Sequence, residues 1–156
     1  MDIFAHWLWT FVLFHNRIDI WWATLFGVLP DLLSFGILFV QYTIKQSFPK
    51  GAPSLHTLPR WVFTAYNVTH SLVIFVLMFL AVFLITKSWY IPLLAWAIHI
   101  LIDIPTHTHR YFPTPFLWPI SEYKFSGFSW AEPWFMIINY SALIAMFAVL
   151  FLTGKI

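Results

Sequence analysis

WVFTAYNVTHSLVIFVLMFLAVFLIT, residues 61–86, holds no Asp, Glu, Lys or Arg between Arg60 and Lys87. A helix needs about 20 mainly apolar residues to cross the roughly 30 Å hydrocarbon layer of a bilayer. This run is long enough, and so is a second uncharged run between Glu132 and Lys155. The whole chain agrees with them. Of its 156 residues, 61% are hydrophobic, 22% aromatic and only 9% charged, against about 25% charged in an ordinary soluble domain. That composition excludes a water-soluble globule, and its hydrophobicity excludes intrinsic disorder. The expectation is one integral membrane domain, residues 1–156, of the all-α class. Weak period-2 alternation argues against a β-barrel.

Function classes fall away on the same arithmetic. A formal net charge of +2 is too small for a nucleic-acid footprint, so nucleic acid is not an expected partner and membrane lipids are. Cys is absent, which removes disulfides, thiolate metal sites and cysteine nucleophiles. The opening MDIFAHWLW has an acid and no basic leader region, so no cleaved signal peptide is expected.

Working outward from residues 61–86, the hydrophobic pattern predicts a polytopic bundle of about five segments. The first covers 3–14 and is short enough to be tilted or partly inserted. The polar break His15-Asn16-Arg17 follows. The second covers 20–44 and is expected to kink or break at Pro30, which lacks a backbone donor. The polar loop KQSFPKGAPSLHTLPR leads into the third segment, 61–85. The fourth covers 90–104 and is ended by Pro105, because the residue before proline is pushed out of the α region. An aromatic loop, 105–132, precedes the fifth, which starts near Pro133 and ends near Thr153-Gly154. Trp21, Trp22, Trp61, Trp89, Trp130 and Trp134 sit near segment ends, where interfacial rings belong. Five spans would put the 45–60 and 105–132 loops on one side, with Lys45, Lys50, Arg60, Arg110 and Lys124. Arg17, Lys87 and Lys155 would lie opposite. The positive-inside rule then makes the long loops cytoplasmic.

Five residues resist the apolar background: His6, Asp31, His70, His99 and Asp103. An acid at mid-membrane costs about 2.5–3.5 kcal/mol on insertion scales, so Asp31 and Asp103 need partners. All eight basic residues lie in loops or at segment ends. What remains inside is imidazole, or something imidazole binds. His99 and Asp103 are four apart, on one helix face, and a single metal ion can bridge them. Neutral imidazole and carboxylate suit Zn²⁺ and related divalent ions. Pro30 could open its helix and expose backbone to a cavity beside Asp31.

Each residue also has a plainer role open to it. His70 and His6 could be hydrogen-bonded packing residues, His99–Asp103 a simple hydrogen bond, and Asp31 a helix N-cap. Taken together, those roles leave an acid short of a partner. His107 and His109, in the PTHTHR turn past Pro105, could complete a second metal site, bind a phosphate with Arg110, or sit at the interface. His15 and His56 read as loop residues.

The order of these motifs resembles a known family. Early His6, the run Leu29-Pro30-Asp31, Thr69-His70-Ser71 and the His99–Asp103 pair look like the YdjM-like inner-membrane metal-dependent hydrolases. Thr106-His107 and Pro119-Ile120-Ser121 also fit, so the likeness covers residues 6–125. There are departures. The family's LPDxDH run has Leu33 here in its second acid position, and its HRGxTHS is AYNVTHS. The resemblance therefore implies one well-held metal with fewer ligands for a second. It implies hydrolase chemistry in a bacterial inner membrane. A looser similarity to zinc phospholipases and nucleases points to a phosphoester.

The expected function is a membrane hydrolase of a phosphoester in or near the lipid head-group layer. Zn²⁺ would be held by His70, His99, Asp103 and either Asp31 or His6. Asp31 and Asp103 are the catalytic candidates, with Asp31 as general base. His107, His109 and Arg110 would orient an anionic head group, and residues 111–134 would form an interfacial lid. Two alternatives stand beside it. One is a His-cluster non-heme metal oxidase, for which the histidines are few. The other is a non-catalytic protein with a structural metal or an ion-relay site.

Overall fold

The computed structural model describes residues 1–49, 51 and 53–156. Lys50, counted above among the loop cations, lies outside the described residues. Those residues form helices and no β-strand. In chain order the helices are α1 (Ile3–Phe14), α2 (Ile20–Lys45), α3 (Arg60–Thr69), α4 (Leu72–Thr86), α5 (Ile91–Thr106) and α6 (Pro133–Leu152).

Two of these, α2 and α6, are long and apolar enough to cross a membrane, and the bent pair α3–α4 makes a third if it counts as one span. That is fewer than five. The physical reason is length. With 12 residues, α1 rises only about 18 Å at 1.5 Å per residue; α5 is also short. Each buries one side in the bundle while Phe4, Leu13 and Leu101 stay more than half exposed. Ala5 and Ala95 are fully buried. By contrast α6 is only 17% buried over its most apolar window. Ile137, Ile144 and Leu152 on it point outward, the disposition expected of a face that meets acyl chains.

The helix breaks differ from those expected. Pro30 does not break α2. The helix runs on through a π-helical stretch, Leu32–Gly36, whose looser winding absorbs the missing donor. The Pro30 carbonyl accepts from Ser34 Oγ at 2.9 Å and from Thr69 Oγ1 at 3.2 Å. Asp31 accordingly lies inside the helix with αR geometry and makes no capping bond, so the N-cap role does not apply. Pro105 likewise does not end α5, which continues to Thr106.

The expected single segment 61–85 is instead split. α3 and α4 meet at 58°. His70 ends α3, and Ser71 caps α4 by accepting from Ile74 N at 3.2 Å. The long loop closes the break: Leu72 N donates to Phe116 O at 3.0 Å, and Ser71 Oγ donates to Trp118 O.

That same loop is strapped across the end of α5. Gly127 N donates to His107 O, Phe128 N to Pro105 O and Trp130 N to Thr106 O, all at 2.9–3.0 Å. A Cβ on residue 127 would fall 1.8 Å from the Pro105 carbonyl oxygen, so only glycine lets the strap lie this close. Tyr111 Oη donates to Pro53 O at 3.2 Å, so the 45–60 and 105–132 loops touch.

Candidate metal centre

Three parts of the fold converge here. Asp31 comes from α2 at the start of the π-helical stretch, His70 from the α3–α4 corner, and His99 with Asp103 from one face of α5. One ligand atom from each of these four residues lies within 4.8 Å of all the others. The group could hold a metal ion.

The spacing is informative. His70 Nε2 is 3.2 Å from His99 Nε2. Asp103 Oδ2 is 3.2 Å from His99 Nε2 and 3.6 Å from His70 Nε2. Asp31 Oδ1 is 3.5 Å from His70 Nε2 and 3.9 Å from His99 Nε2. Bonds of 2.0–2.1 Å to a tetrahedral ion place ligand atoms about 3.3–3.4 Å apart. The cluster already has nearly those dimensions, with Asp31 slightly far out.

Tautomers follow from the other ring nitrogens. His99 Nδ1 lies 2.8 Å from the Gly27 carbonyl, which can only accept, so Nδ1 carries the proton and Nε2 turns a lone pair inward. His70 Nδ1 is 3.2 Å from the Tyr66 carbonyl and 3.0 Å from Thr69 Oγ1. The same inference holds there. Two lone pairs and two carboxylate oxygens then face one point. A single proton shared among them satisfies one short contact, whereas a divalent ion satisfies all four and neutralises both acids.

Asp103 is the hinge of the arrangement. Its Oδ2 faces the four-residue group. Its Oδ1 faces away, toward His6 Nε2 at 3.0 Å, His107 Nδ1 at 3.6 Å and the amino group of Met1. The Met1 amine also donates to Thr106 Oγ1 at 3.2 Å. His6 therefore stands outside the converging set. Its ring stacks on that of His99, centroids 3.7 Å apart, and it holds both residues in place. On the opposite wall the Tyr66 ring stacks on His70 at 3.9 Å.

His70, His99 and Asp103 are essentially inaccessible, while the Asp31 side chain keeps 14% of its surface. Asp31 is thus the one member of the group with side-chain surface to spare. His107 is buried near Asp103, and its Nδ1 is 3.1 Å from the Asp103 carbonyl oxygen. His109 and Arg110 are exposed on the turn. His56 lies in a short 3₁₀ turn, and His15 turns Nδ1 to Val12 O at 2.7 Å.

Gly27, Tyr66 and Thr69 orient the ligands; of the three, only Thr69, within Thr69-His70-Ser71, stands out in the sequence. Gly27 had a usable signal, since it lies four residues before Asp31 on the same helix face. Comparison of the chain with family models, with curated proteins and with solved structures finds no match.

Proposed function

We propose that this chain is an integral membrane, metal-dependent phosphoester hydrolase, akin to the YdjM-like inner-membrane hydrolases it resembles. The observation that carries the proposal is the convergence of Asp31, His70, His99 and Asp103, with one ligand atom from each within 4.8 Å of the others. Imidazole and carboxylate donors favour Zn²⁺. A bound divalent ion supplies a water of lowered pKa and a Lewis acid for a phosphoryl oxygen.

The protein's own groups divide the remaining work. His70, His99 and Asp103, the most enclosed three, hold the ion. Asp31 is the most distant and most accessible of the four, and so is placed to take a proton from water on the open side. Gly27 and Tyr66 carbonyls keep both rings in the binding tautomer. His109 and Arg110 on the exposed turn attract an anionic head group, with the 105–132 strap over the site. The chain belongs on this reading to a bacterial inner membrane.

One observation favours a second reading. Four protein ligands at these distances complete a tetrahedral sphere, as in structural metal sites. The metal itself is tested first. Elemental analysis of purified wild type should show near-stoichiometric metal, with loss in both His99→Ala and Asp103→Ala. Equal, near-zero metal in all three proteins defeats the proposal. Hydrolysis of a phosphoester panel by the loaded wild type then separates the catalytic from the structural reading.

A further inference from the structure

Between α1, α5 and α6 lies a groove of about 440 Å³, lined chiefly by Trp9, Leu13, Leu101, Ile102, Phe135 and Asn139. Asn139 is out of place in it. It sits within the membrane-length helix α6 and is only 6% exposed. Its Oδ1 accepts from Trp9 Nε1 at 2.8 Å. Indole nitrogen only donates, so that contact fixes which end of the amide is oxygen. The other end, Nδ2, is buried with no hydrogen-bond partner.

An amide donor left unmade in an apolar surround is costly, and the common remedy is a ligand or an ordered partner. Leu13 and Leu101, which line the groove, are more than half exposed, so the groove is open at the protein surface. Asn139 is about 9 Å along the helix from Pro133, in the outer part of the span and not at mid-bilayer. Met1 and Thr106 line the same groove, and both belong to the group around Asp103 Oδ1.

We infer that this groove binds one ester-linked phospholipid. An acyl chain lies along Trp9, Leu101 and Phe135, and Asn139 Nδ2 donates to the ester carbonyl. The groove is of a size typical for small-molecule sites, with the Asn139 amide set among largely apolar walls. In one respect the inference rests on the hydrolase reading, since that reading would bring the lipid's phosphate toward the metal centre. Binding itself does not depend on it.

The test is native mass spectrometry of the full chain in detergent. A diacyl phosphatidylglycerol is compared with the diether analogue of identical chains and head group. Wild type should favour the ester lipid about three- to tenfold, the yield of one hydrogen bond. Asn139→Leu should abolish that preference, and Leu101→Trp, which fills the groove, should weaken both lipids. Equal binding of ester and ether lipid by wild type overturns the inference. So does an ester preference that survives Asn139→Leu, or a lipid-insensitive dimer that covers the groove. If Asn139→Leu does not accumulate, the ester–ether comparison on wild type decides alone. Metal content measured in the same samples keeps the two proposals apart. Lipid selectivity without metal defeats the hydrolase and leaves the groove, and metal without selectivity does the reverse.

Discussion

At the turn between α1 and α2, Asp19 accepts two hydrogen bonds from the Arg17 guanidinium, at 2.7 and 3.0 Å, within reach of water. At the far end of α5, Asp103 keeps 1% of its side-chain surface and meets imidazoles on both oxygens. The two residues carry the same carboxylate. One is neutralised by a basic neighbour two residues away, under solvent screening. The other meets His99 and His107 from its own helix end and His70, His6 and the Met1 amine from distant parts of the chain, in a setting where an uncompensated charge is strongly unfavourable. Charge in the first region is local and dispensable. In the second it binds α1, α5 and the α3–α4 corner into one unit, so changes there should cost both stability and chemistry.

The largest effect should come from Asp103→Ala. It removes the acid that joins the four-residue group to His6 and His107. Breaking a buried pair by deleting one partner costs about 3–5 kcal/mol, and metal should be lost with it. Thermal unfolding in detergent, with and without added Zn²⁺, reads both. A variant as stable as wild type and still loaded would erase the distinction from Asp19.

Next is Asp31→Asn, which separates a catalytic from a structural centre. If Asp31 takes the proton, phosphoester hydrolysis should fall by about 10²–10⁴-fold while metal stays bound to His70, His99 and Asp103. Metal lost in parallel with activity would favour the closed four-ligand site instead.

Gly27→Val probes the support behind the ligands. A Cβ at residue 27 would lie 2.2 Å from Thr10 Oγ1, so α1 and α2 must separate. The carbonyl that orients His99 then moves with them. Overpacking of this kind costs about 1–3 kcal/mol, and loss of a ligand's orienting bond weakens metal binding about 10–100-fold. Competition with a chelator measures the second effect. Unchanged affinity with reduced stability would mean that Gly27 serves packing alone.

These residues show how far the sequence could be read. Asp31, His70, His99 and Asp103 were visible because a polar side chain in an apolar helix is expensive wherever it points. His6 carried the same signal, yet it stacks on His99 instead of joining the converging atoms, and spacing alone does not tell those outcomes apart. The breaks misled for a related reason. Proline is a strong local signal, but at Pro30 the π-helical turn, Ser34 and Thr69 accommodate it. The true corner, at His70-Ser71, depends on carbonyls from Phe116 and Trp118, some 45 residues on. Hydropathy alone gives more spans than the structure has, because it does not report where a helix ends. With α1 and α5, length had to arbitrate.

The smallest effect belongs to Asp19→Asn, and it sharpens the contrast from the solvent side. The hydrogen bond from Arg17 holds the Asp19 carboxyl below the usual carboxylate range. A carboxyl depressed in the folded state adds stability above its unfolded value, about 3.9, and loses it as pH falls through the folded value. At neutral pH the variant's melting temperature should therefore trail wild type by no more than replicate scatter. Any difference should shrink with added salt, begin to fade as the pH drops below about 4, and close once it has passed the lower folded value. A large loss at neutral pH, comparable with that of Asp103→Ala, would show that the α1–α2 turn is held by its ion pair, and that exposure alone does not divide the two acids.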